Sequence, residues 1–250
     1  DGAGFGLDTD GALVPSDLCG RQPLDATPDG SILIRRFTHG GLLRFFSRRR
    51  YHDAARPFTE LALSTWLTGH GVHTPPVAAA RSRAAFLFGH ELALATRRID
   101  GARDLESFLA LVRGRRLARV GLRPSVRAFG ALVGRLHGLG FLHADLTPKN
   151  VLVEDREDGS SRLWLLDLDR SRVELPLSES HRRDNLRRLW RFVDRRERRD
   201  GRALSMTDVA RFLVAYESDR SRRHELWRSI RGAHARRAIW HRIAWFLDRG

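Results

Sequence analysis

The spacing of apolar residues along this chain changes character near residue 100. Upstream, short apolar or β-branched runs separated by turn residues predict a strand at 31–37 and two or three strands over 74–79, 84–88 and 91–96, with a weaker indication at 12–14. From Leu105 onward, apolar residues recur at every third or fourth position, which is the period of a helix. The pattern therefore predicts an α+β protein with a strand-rich lobe over 1–97 and a mainly helical lobe over 98–250.

Punctuating residues place the main helices. A helix in the first lobe is predicted to have Pro57 near its first turn and Gly69 just past its end. Its inward stripe is predicted to be Phe58, Leu61, Ala62, Thr65 and Trp66, with Glu60 beside it. In the second lobe Pro124 is predicted to open a helix that ends at Gly138 and Gly140. Its apolar positions are Val126, Phe129, Leu132, Val133 and Leu136. Helix is predicted again from about residue 180.

The polar stretch His-Ala-Asp-Leu-Thr-Pro-Lys-Asn at residues 143–150 directly follows the helix of the second lobe. Two short strands, at 151–153 and 163–166, follow it and are joined through the turn at 158–159. This hairpin carries Asn150 at its entry and Asp167 at its exit, so both are expected to approach Asp145. A carboxylate, an amide and a second carboxylate in this order can place a general base beside a magnesium site facing nucleotide phosphates. The spacing therefore predicts a phosphotransferase.

Each polar side chain of this region has a predicted role. Asp145 is the candidate catalytic base that orients and deprotonates an acceptor hydroxyl. Asn150 and Asp167 are the candidate magnesium ligands, because magnesium prefers oxygen donors. Lys149 either contacts the γ-phosphate or only solvates the loop. His143 is expected to brace the loop, because no His or Cys cluster surrounds it.

The chain is strongly basic, with a net charge of +15, and Lys149 is its only lysine, so 45 basic residues minus 1 leaves 44 arginines. One interpretation is codon bias, with many guanidinium groups on solvated helix faces; the functional alternative is a polyanionic partner, either an anionic lipid surface or a nucleic acid. Nucleic acid is not expected, because zinc-finger spacing and RNA-recognition signatures are absent. The basic segment 222–249 is amphipathic, which fits either adsorption to an anionic membrane or packing on the second lobe.

Other features of the composition exclude few classes of protein. No apolar run approaches the roughly 18 residues of a membrane span. The single cysteine, Cys19, forms no internal disulfide and is compatible with a reducing compartment. The chain begins with Asp1, so a lost targeting segment stays open, and the oligomeric state is not indicated.

The loop at 143–150 resembles that of the protein-kinase-like superfamily, His-x-Asp-Leu-x-x-x-Asn, although the second motif here is Asp-Leu-Asp at 167–169 where most kinases have Asp-Phe-Gly. More specifically, the chain resembles the lipopolysaccharide kinase (Kdo kinase-like) family, which phosphorylates 3-deoxy-D-manno-octulosonic acid (Kdo). The segments that carry this resemblance are 34–42, 56–61, 96–99, 166–170 and 185–189. Together they cover roughly residues 20–195.

The resemblance implies a two-lobed protein-kinase-like fold with a nucleotide-binding antiparallel-sheet lobe at 1–97 and a helical catalytic lobe at 98–250. It implies ATP and Mg²⁺ as cofactors and Kdo or another inner-core sugar of lipopolysaccharide as acceptor. It also implies a peripheral location on the cytoplasmic face of a bacterial inner membrane. Most kinases grip the nucleotide with a strand lysine, but the resemblance places Arg35 there, paired with Glu60.

Two departures keep alternatives open. Only Gly20-Arg21 remains of a glycine-rich loop, and no Ala-Pro-Glu signature follows Asp167, so a peptide-binding platform is not expected. One alternative is another small-molecule kinase of this fold, such as an aminoglycoside phosphotransferase-like enzyme, although the arginine-rich segments 35–50 and 181–199 fit a cationic acceptor poorly. The other is a non-catalytic basic pseudokinase that binds anionic lipid or nucleic acid.

Overall fold

The computed structural model describes residues 14–15, 24–38, 50–86, 88–115 and 119–230. These residues form two compact units. Unit 1 contains the described residues up to Gly101 together with Leu165–Arg170, and unit 2 contains those of 102–164 and those from Ser171 onward. The short segment that carries Asp167 therefore belongs to unit 1, although it lies far along the chain.

Unit 1 is built on a five-stranded antiparallel sheet with the order β1-β2-β3-β5-β4. Its strands are β1 (Val14–Pro15), β2 (Leu24–Ala26), β3 (Ile32–Arg36), β4 (Val77–Ala84) and β5 (His90–Arg97). In β3, Ile34 is fully buried, and Arg35 is paired in register with Leu94 of β5. Successive side chains of a strand point to opposite faces, so Arg35 leaves the sheet on the face opposite to Ile34.

Part of the strand prediction for unit 1 was wrong. Residues 74–76 precede β4, Ala84 is the last residue of β4, and the described residues 85, 86 and 88 lie in the connection between β4 and β5. Phe86 is 99% exposed, so the apolar composition of this segment reflects a surface turn and not a buried run. The turn closes where Ala85 N donates to Gly89 O, and Gly89 has a positive φ that favours glycine.

Helix α1 (Arg56–Gly69) occupies the predicted segment, with Pro57 in its first turn, but its buried face was predicted wrongly. The buried residues are Pro57, Glu60, Ser64 and Leu67, whereas Phe58 is 47% exposed. Burial of the two polar residues is compensated by partners elsewhere in unit 1. Glu60 pairs with Arg35, and the Ser64 hydroxyl lies 2.6 Å from that of Thr74. Satisfied polar groups can be buried in place of apolar ones.

Unit 2 is mainly helical. Its helices are α2 (Leu105–Arg113), α3 (Arg119–Gly138), α4 (Glu179–Asp200) and α5 (Met206–Tyr216), and residues 220–230 are also helical. Three of the helices begin with a side-chain cap: Asp104 accepts from Ser107 N, Ser178 from His181 N and Ser205 from Asp208 N.

Helix α3 begins at Arg119, so the prediction that Pro124 opens it was wrong. Because a proline has no backbone N–H, it removes one backbone hydrogen bond of the helix. A long helix tolerates this loss near its N-terminal end, so Pro124 can be an internal residue. The predicted core face is confirmed at Val126, Phe129, Val133 and Leu136, which are all at most 7% exposed, whereas Leu132 is only partly buried.

Five short strands complete the described chain. They are β6 (Arg103–Asp104), β7 (Phe141–Leu142), β8 (Val151–Asp155), β9 (Ser161–Leu165) and β10 (Arg172–Val173). β6, β8 and β9 form one sheet in that order, and β7 pairs with β10. The predicted turn between β8 and β9 is confirmed, since Gly159 has a φ of +75° and Ser160 N donates to Asp158 Oδ1.

Several predictions fall on residues outside this description. They concern the strand residues 12–13, the pair Gly20-Arg21, the glycines at 40 and 41 and the end of the basic segment beyond residue 230. Within the described part of that segment, Trp227 packs edge-on against Trp190 of α4, with ring centroids 5.1 Å apart. Trp227 thus packs on the second lobe, as one of the two alternatives predicted.

Candidate active site

The loop at 143–150 connects β7 to β8, and its backbone is fixed at the entrance. β7 pairs with β10, and just before it Gly140 has a φ of +76°. A side chain at this position would bring its Cβ within 2.3 Å of Glu174 O, so only glycine fits. At its exit the loop closes in a 3-10 turn over Pro148–Asn150 that leads directly into β8.

Asp145 and Asn150 are in contact within unit 2. Asn150 Nδ2 donates to Asp145 O at 2.8 Å and lies 3.3 Å from Asp145 Oδ2. Both contacts use the amide nitrogen, so the amide oxygen Oδ1 is the atom that they leave for a cation. His143 is 1% exposed, and its Nδ1 accepts a hydrogen bond from Asp145 N at 3.1 Å. This contact confirms the predicted bracing role of the histidine.

Three further side chains hold the backbone of the two residues just before Asp145. Asn185 Nδ2 donates to His143 O at 2.8 Å, Arg188 donates to Ala144 O, and Ser171 Oγ accepts from Ala144 N at 3.1 Å. Asn185 and Arg188 are three residues apart and therefore share one face of α4. The sequence had marked these two only through the family resemblance, and nothing in it had indicated Ser171.

Lys149 makes a contact away from Asp145. Its Nζ lies 3.5 Å from Glu106 Oε2 of α2, and its side chain is 48% exposed. Glu106 also pairs with Arg196 of α4. The structure thus shows Lys149 beside a carboxylate, at the surface of unit 2.

Unit 1 brings together the other three predicted residues. The Arg35 guanidinium pairs with Glu60 of α1 through Nη2 and with Asp167 through Nη1. Glu60 also accepts a hydrogen bond from Leu168 N at 3.1 Å. The side chain of Glu60 is only 6% exposed, whereas that of Asp167 is 42% exposed.

The electrostatics of this cluster keep Arg35 charged. Burial alone would lower the pKa of the guanidinium, but the carboxylates of Glu60 and Asp167 more than offset burial and raise it. Burial raises the pKa of the Glu60 carboxyl, and Arg35 opposes this rise. A buried carboxylate with a permanent cation on one side and a backbone donor on the other is suited to holding that cation in one place.

Asp167 has a φ of +56°, and Arg170, three residues later, has a φ of +59°. Non-glycine residues in this region are uncommon, and such strain costs of order 1 kcal/mol. The hydrogen bond from Leu168 N to Glu60 fixes the turn just after Asp167. Left-handed residues held by their surroundings are typical of functional sites.

The sequence prediction also missed the pair Arg56–Asp169. Arg56 Nε lies 3.0 Å from Asp169 Oδ1, and its Nη2 contacts the other carboxylate oxygen. The same guanidinium lies over the rings of Tyr51 and Phe37, at 4.5 and 5.5 Å from their centroids. A second aspartate two residues after the candidate metal ligand was the available signal.

In the described part of the chain, His, Cys, Asp and Glu nowhere form a group of three that could hold a metal ion. A magnesium site built from one amide, one carboxylate and phosphate oxygens needs no such group. Among the helices that the structure describes, none combines the length and the apolar character needed to cross a membrane.

The fold and much of the sequence match known proteins. The chain is 31% identical over 195 residues to a 3-deoxy-D-manno-octulosonic acid kinase of Stenotrophomonas maltophilia, covering 76% of this chain and 72% of the relative. It is 30% identical over 190 residues to the enzyme of the same name from Pasteurella multocida, covering 74% and 75%.

Among solved structures, WaaP in complex with acyl carrier protein superimposes with a TM-score of 0.61 at 22% identity, covering 91% of this chain and 86% of that chain. The likeness confirms the predicted α+β kinase-like fold. The profile of the lipopolysaccharide kinase (Kdo/WaaP) family matches residues 27–216, which is more than half of the chain. The chain therefore belongs to the lipopolysaccharide kinase (Kdo/WaaP) family.

Proposed function

We propose that this chain is an ATP-dependent kinase that transfers the γ-phosphate to a hydroxyl of Kdo in the inner core of lipopolysaccharide. The observation that carries the proposal is the braced loop in which Asn150 and His143 hold Asp145. Kdo as the acceptor is supported by the names of relatives at 30–31% identity. A strongly basic chain also suits an acceptor that carries carboxylate and phosphate groups.

In this proposal Asp145 is the catalytic base. Its carboxylate accepts the proton of the acceptor hydroxyl as the new oxygen–phosphorus bond forms and the bond to the β-phosphate oxygen breaks, leaving ADP. Asn150 contacts the backbone of Asp145 and the edge of its carboxylate, so it limits the movement of the base. Positioning and electrostatic stabilisation dominate phosphoryl transfer, which makes a fixed carboxylate valuable.

Asn150 and Asp167 are the proposed magnesium ligands, and their joint role rests on the sequence motif. Each presents an oxygen of the type that Mg²⁺ prefers, since the contacts of Asn150 use its nitrogen and Asp167 is a half-exposed carboxylate. When bound, magnesium neutralises charge on the β- and γ-phosphate oxygens.

Arg35 is proposed to bind the nucleotide phosphates, with Glu60 as the residue that orients it. The guanidinium has five donors in a planar fork, so it can keep Glu60 and still contact a phosphate. Lys149 is proposed to contact the γ-phosphate. Its surface pair with Glu106 contributes about 0–1 kcal/mol, so leaving it costs little.

The membrane is the proposed location of the substrate. Peripheral binding to the cytoplasmic face of a bacterial inner membrane is supported by the net charge of +15 and by the many arginines of α4.

The test is turnover with purified chain, ATP, Mg²⁺ and Kdo-modified lipid A, followed as phosphate incorporation. We expect incorporation by the wild type and its loss in Asp145→Asn, with ATP binding retained. Asp155→Asn is the matched control, because Asp155 is an exposed aspartate at the end of β8. Transfer to an aminoglycoside but not to the glycolipid would show that Kdo is not the acceptor. ATP binding without transfer to any of these acceptors would contradict the enzyme and favour the pseudokinase.

A further inference from the structure

The side chain of Asn185 lies between the catalytic loop and a buried histidine of α3. Its Nδ2 donates to His143 O, and its Oδ1 lies 3.1 Å from His137 Nε2. The other ring nitrogen, His137 Nδ1, lies 2.8 Å from the Tyr216 hydroxyl at the end of α5. One row of hydrogen bonds therefore runs from α5 through α3 and α4 to the backbone of the loop.

Chemistry fixes the direction of every bond in this row. A backbone carbonyl only accepts, so the amide nitrogen of Asn185 faces His143 and its oxygen faces His137. That oxygen also only accepts, so His137 Nε2 must carry the hydrogen. In a neutral imidazole with its hydrogen on Nε2, Nδ1 is an acceptor, and the Tyr216 hydroxyl is therefore the donor.

The surroundings keep both titratable groups in the required form. His137 is 1% exposed, and burial lowers its pKa to about 4, with the charge of Arg182 acting in the same direction. Burial raises the pKa of Tyr216 to about 12, although Arg182 hydrogen-bonds to it and opposes the rise; Glu179 and Glu217 raise it further. Near pH 7 the imidazole is therefore neutral and the hydroxyl keeps its proton.

Two glycines of α3 set the distance between His137 and Tyr216. A Cβ at Gly134 would lie 2.7 Å from Tyr216 O, and a Cβ at Gly130 would lie 2.3 Å from Phe212 O. α5 thus packs directly on the backbone of α3. The Tyr216 ring is further held by stacking on Phe212, with ring planes 5° apart.

We propose that Tyr216 and His137 are positioning residues that set the orientation of the Asn185 amide and, through it, the carbonyl of His143 in the catalytic loop. Without the hydroxyl, Nδ1 of His137 is a buried acceptor that has lost the donor from α5. The ring is then free to shift, which weakens the bond from Nε2 to Asn185 Oδ1 and, with it, the bond from Asn185 Nδ2 to His143 O. The role of the loop in catalysis rests on the proposed function; the hydrogen-bond row itself does not.

The test is Tyr216→Phe, which removes the hydroxyl and keeps the ring. In ¹⁵N spectra of the histidine side chains we expect the Nδ1 signal of His137 to shift, because Nδ1 loses the bond from the Tyr216 hydroxyl, and we expect the ¹³C signal of the His143 carbonyl to shift. With ATP and Kdo-modified lipid A, kcat should fall about 10-fold and KM for ATP should stay within about twofold. A misplacement of about 1 Å in an active site can cost up to about 100-fold.

Rescue and a matched control separate positioning from simple destabilisation. His137→Gln offers one donor and one acceptor, so it should retain more of kcat than His137→Phe, which offers neither. Phe129→Leu weakens the same α3–α5 interface through its edge contact with Phe212, at 5.5 Å, but leaves the row intact, so kcat should be unchanged.

An unshifted His137 Nδ1 signal or an unshifted His143 carbonyl in Tyr216→Phe would overturn the proposal. So would a wild-type kcat in that variant, or an equal loss of kcat in Phe129→Leu. If the wild type transfers no phosphate, the proposed function fails, and the two NMR signals still decide whether Tyr216 controls the loop.

Discussion

The two units hold their predicted catalytic residues by different physical means. In unit 1, Arg35, Glu60 and Asp167 are joined by ion pairs, and a second pair joins Arg56 to Asp169. In unit 2, the loop that carries Asp145 is held from the buried side by neutral groups, of which Asn185 contacts the loop, although the exposed Arg188 also donates to Ala144 O. A charged ligand can replace one partner of an ion pair. Hydrogen bonds between neutral groups inside a core offer such a ligand no charged partner to replace.

The two carboxylates of the ion-pair cluster differ in their exposure to solvent. Glu60 is buried and Asp167 is 42% exposed, although both pair with the same guanidinium. Glu60 is therefore suited to be the lasting partner of Arg35, whereas in the proposed function Asp167 would change partner on binding phosphate and cation. The ion-pair cluster of unit 1 is suited to exchanging one partner for a ligand. The hydrogen-bond row of unit 2 is suited to keeping the loop in one geometry.

Replacing Glu60 breaks the ion-pair cluster of unit 1 and has the largest expected effect on stability. Glu60→Leu leaves Arg35 with one partner fewer and Leu168 N without its acceptor, so the free energy of unfolding should fall by about 4 kcal/mol. Urea unfolding measures this loss, and Glu60→Gln should lose about half as much, because its amide still accepts from Leu168 N. Glu91→Leu removes the exposed pair with Arg83 and should cost under about 1 kcal/mol; an equal loss would contradict the special role of Glu60.

The hydrogen-bond row of unit 2 is expected to make the stability of the chain sensitive to acid, because it contains His137. Burial holds the pKa of His137 at about 4 in the folded chain, against 6.5 when unfolded, so the unfolded chain binds a proton first as pH falls. This contribution to stability is fully present above pH 6.5 and is lost between pH 6.5 and about 4, by about 3 kcal/mol.

Unfolding free energies of the wild type and His137→Gln at pH 7 and pH 4.5 measure the histidine's share. The wild type should lose more stability over this range than the variant, which cannot take up that proton. Parallel slopes would show that the imidazole is not held neutral in the folded chain.

Steric contact between α3 and α5 gives a third test. Gly134→Ala places a methyl group 2.7 Å from Tyr216 O and should cost about 2 kcal/mol by forcing the helices apart. Gly138→Ala is the matched control in the same helix, because its added Cβ meets no atom within 4 Å among the described residues outside its own stretch of helix. The control should be neutral or stabilising by up to about 1 kcal/mol. Thermal unfolding distinguishes the two, and equal melting temperatures would contradict the close packing.

The sequence predicted best what local patterns determine. The hairpin of β8 and β9 was recovered because apolar runs and the turn at Asp158-Gly159 are local signals. The loop at 143–150 was recognised from spacing, since its function depends on residues only five positions apart. The approach of Arg35 to Glu60 was expected from the resemblance and from the absence of another lysine.

What depended on distant partners was missed. The inward face of α1 was placed on Phe58 and Trp66 because periodicity treats Glu60 and Ser64 as exposed, and only Arg35 and Thr74 make their burial favourable. The contacts of His137 with Tyr216 and Asn185 join three helices, so neither period nor spacing could reveal them. A buried polar residue is predictable only when its partner is known.

Lys149 gives the smallest expected effect on stability and tests whether exchange is confined to the charged cluster. Its pair with Glu106 is half exposed, so Lys149→Met should change the free energy of unfolding by less than about 1 kcal/mol. If the ammonium leaves Glu106 for the γ-phosphate during transfer, kcat should fall about 5-fold, which corresponds to about 1 kcal/mol of transition-state stabilisation. Glu106→Gln removes the resting partner but keeps the lysine, so it should leave kcat near the wild-type value. Steady-state kinetics on both variants decide between the two roles, because a lysine that only solvates the loop predicts wild-type kcat in each.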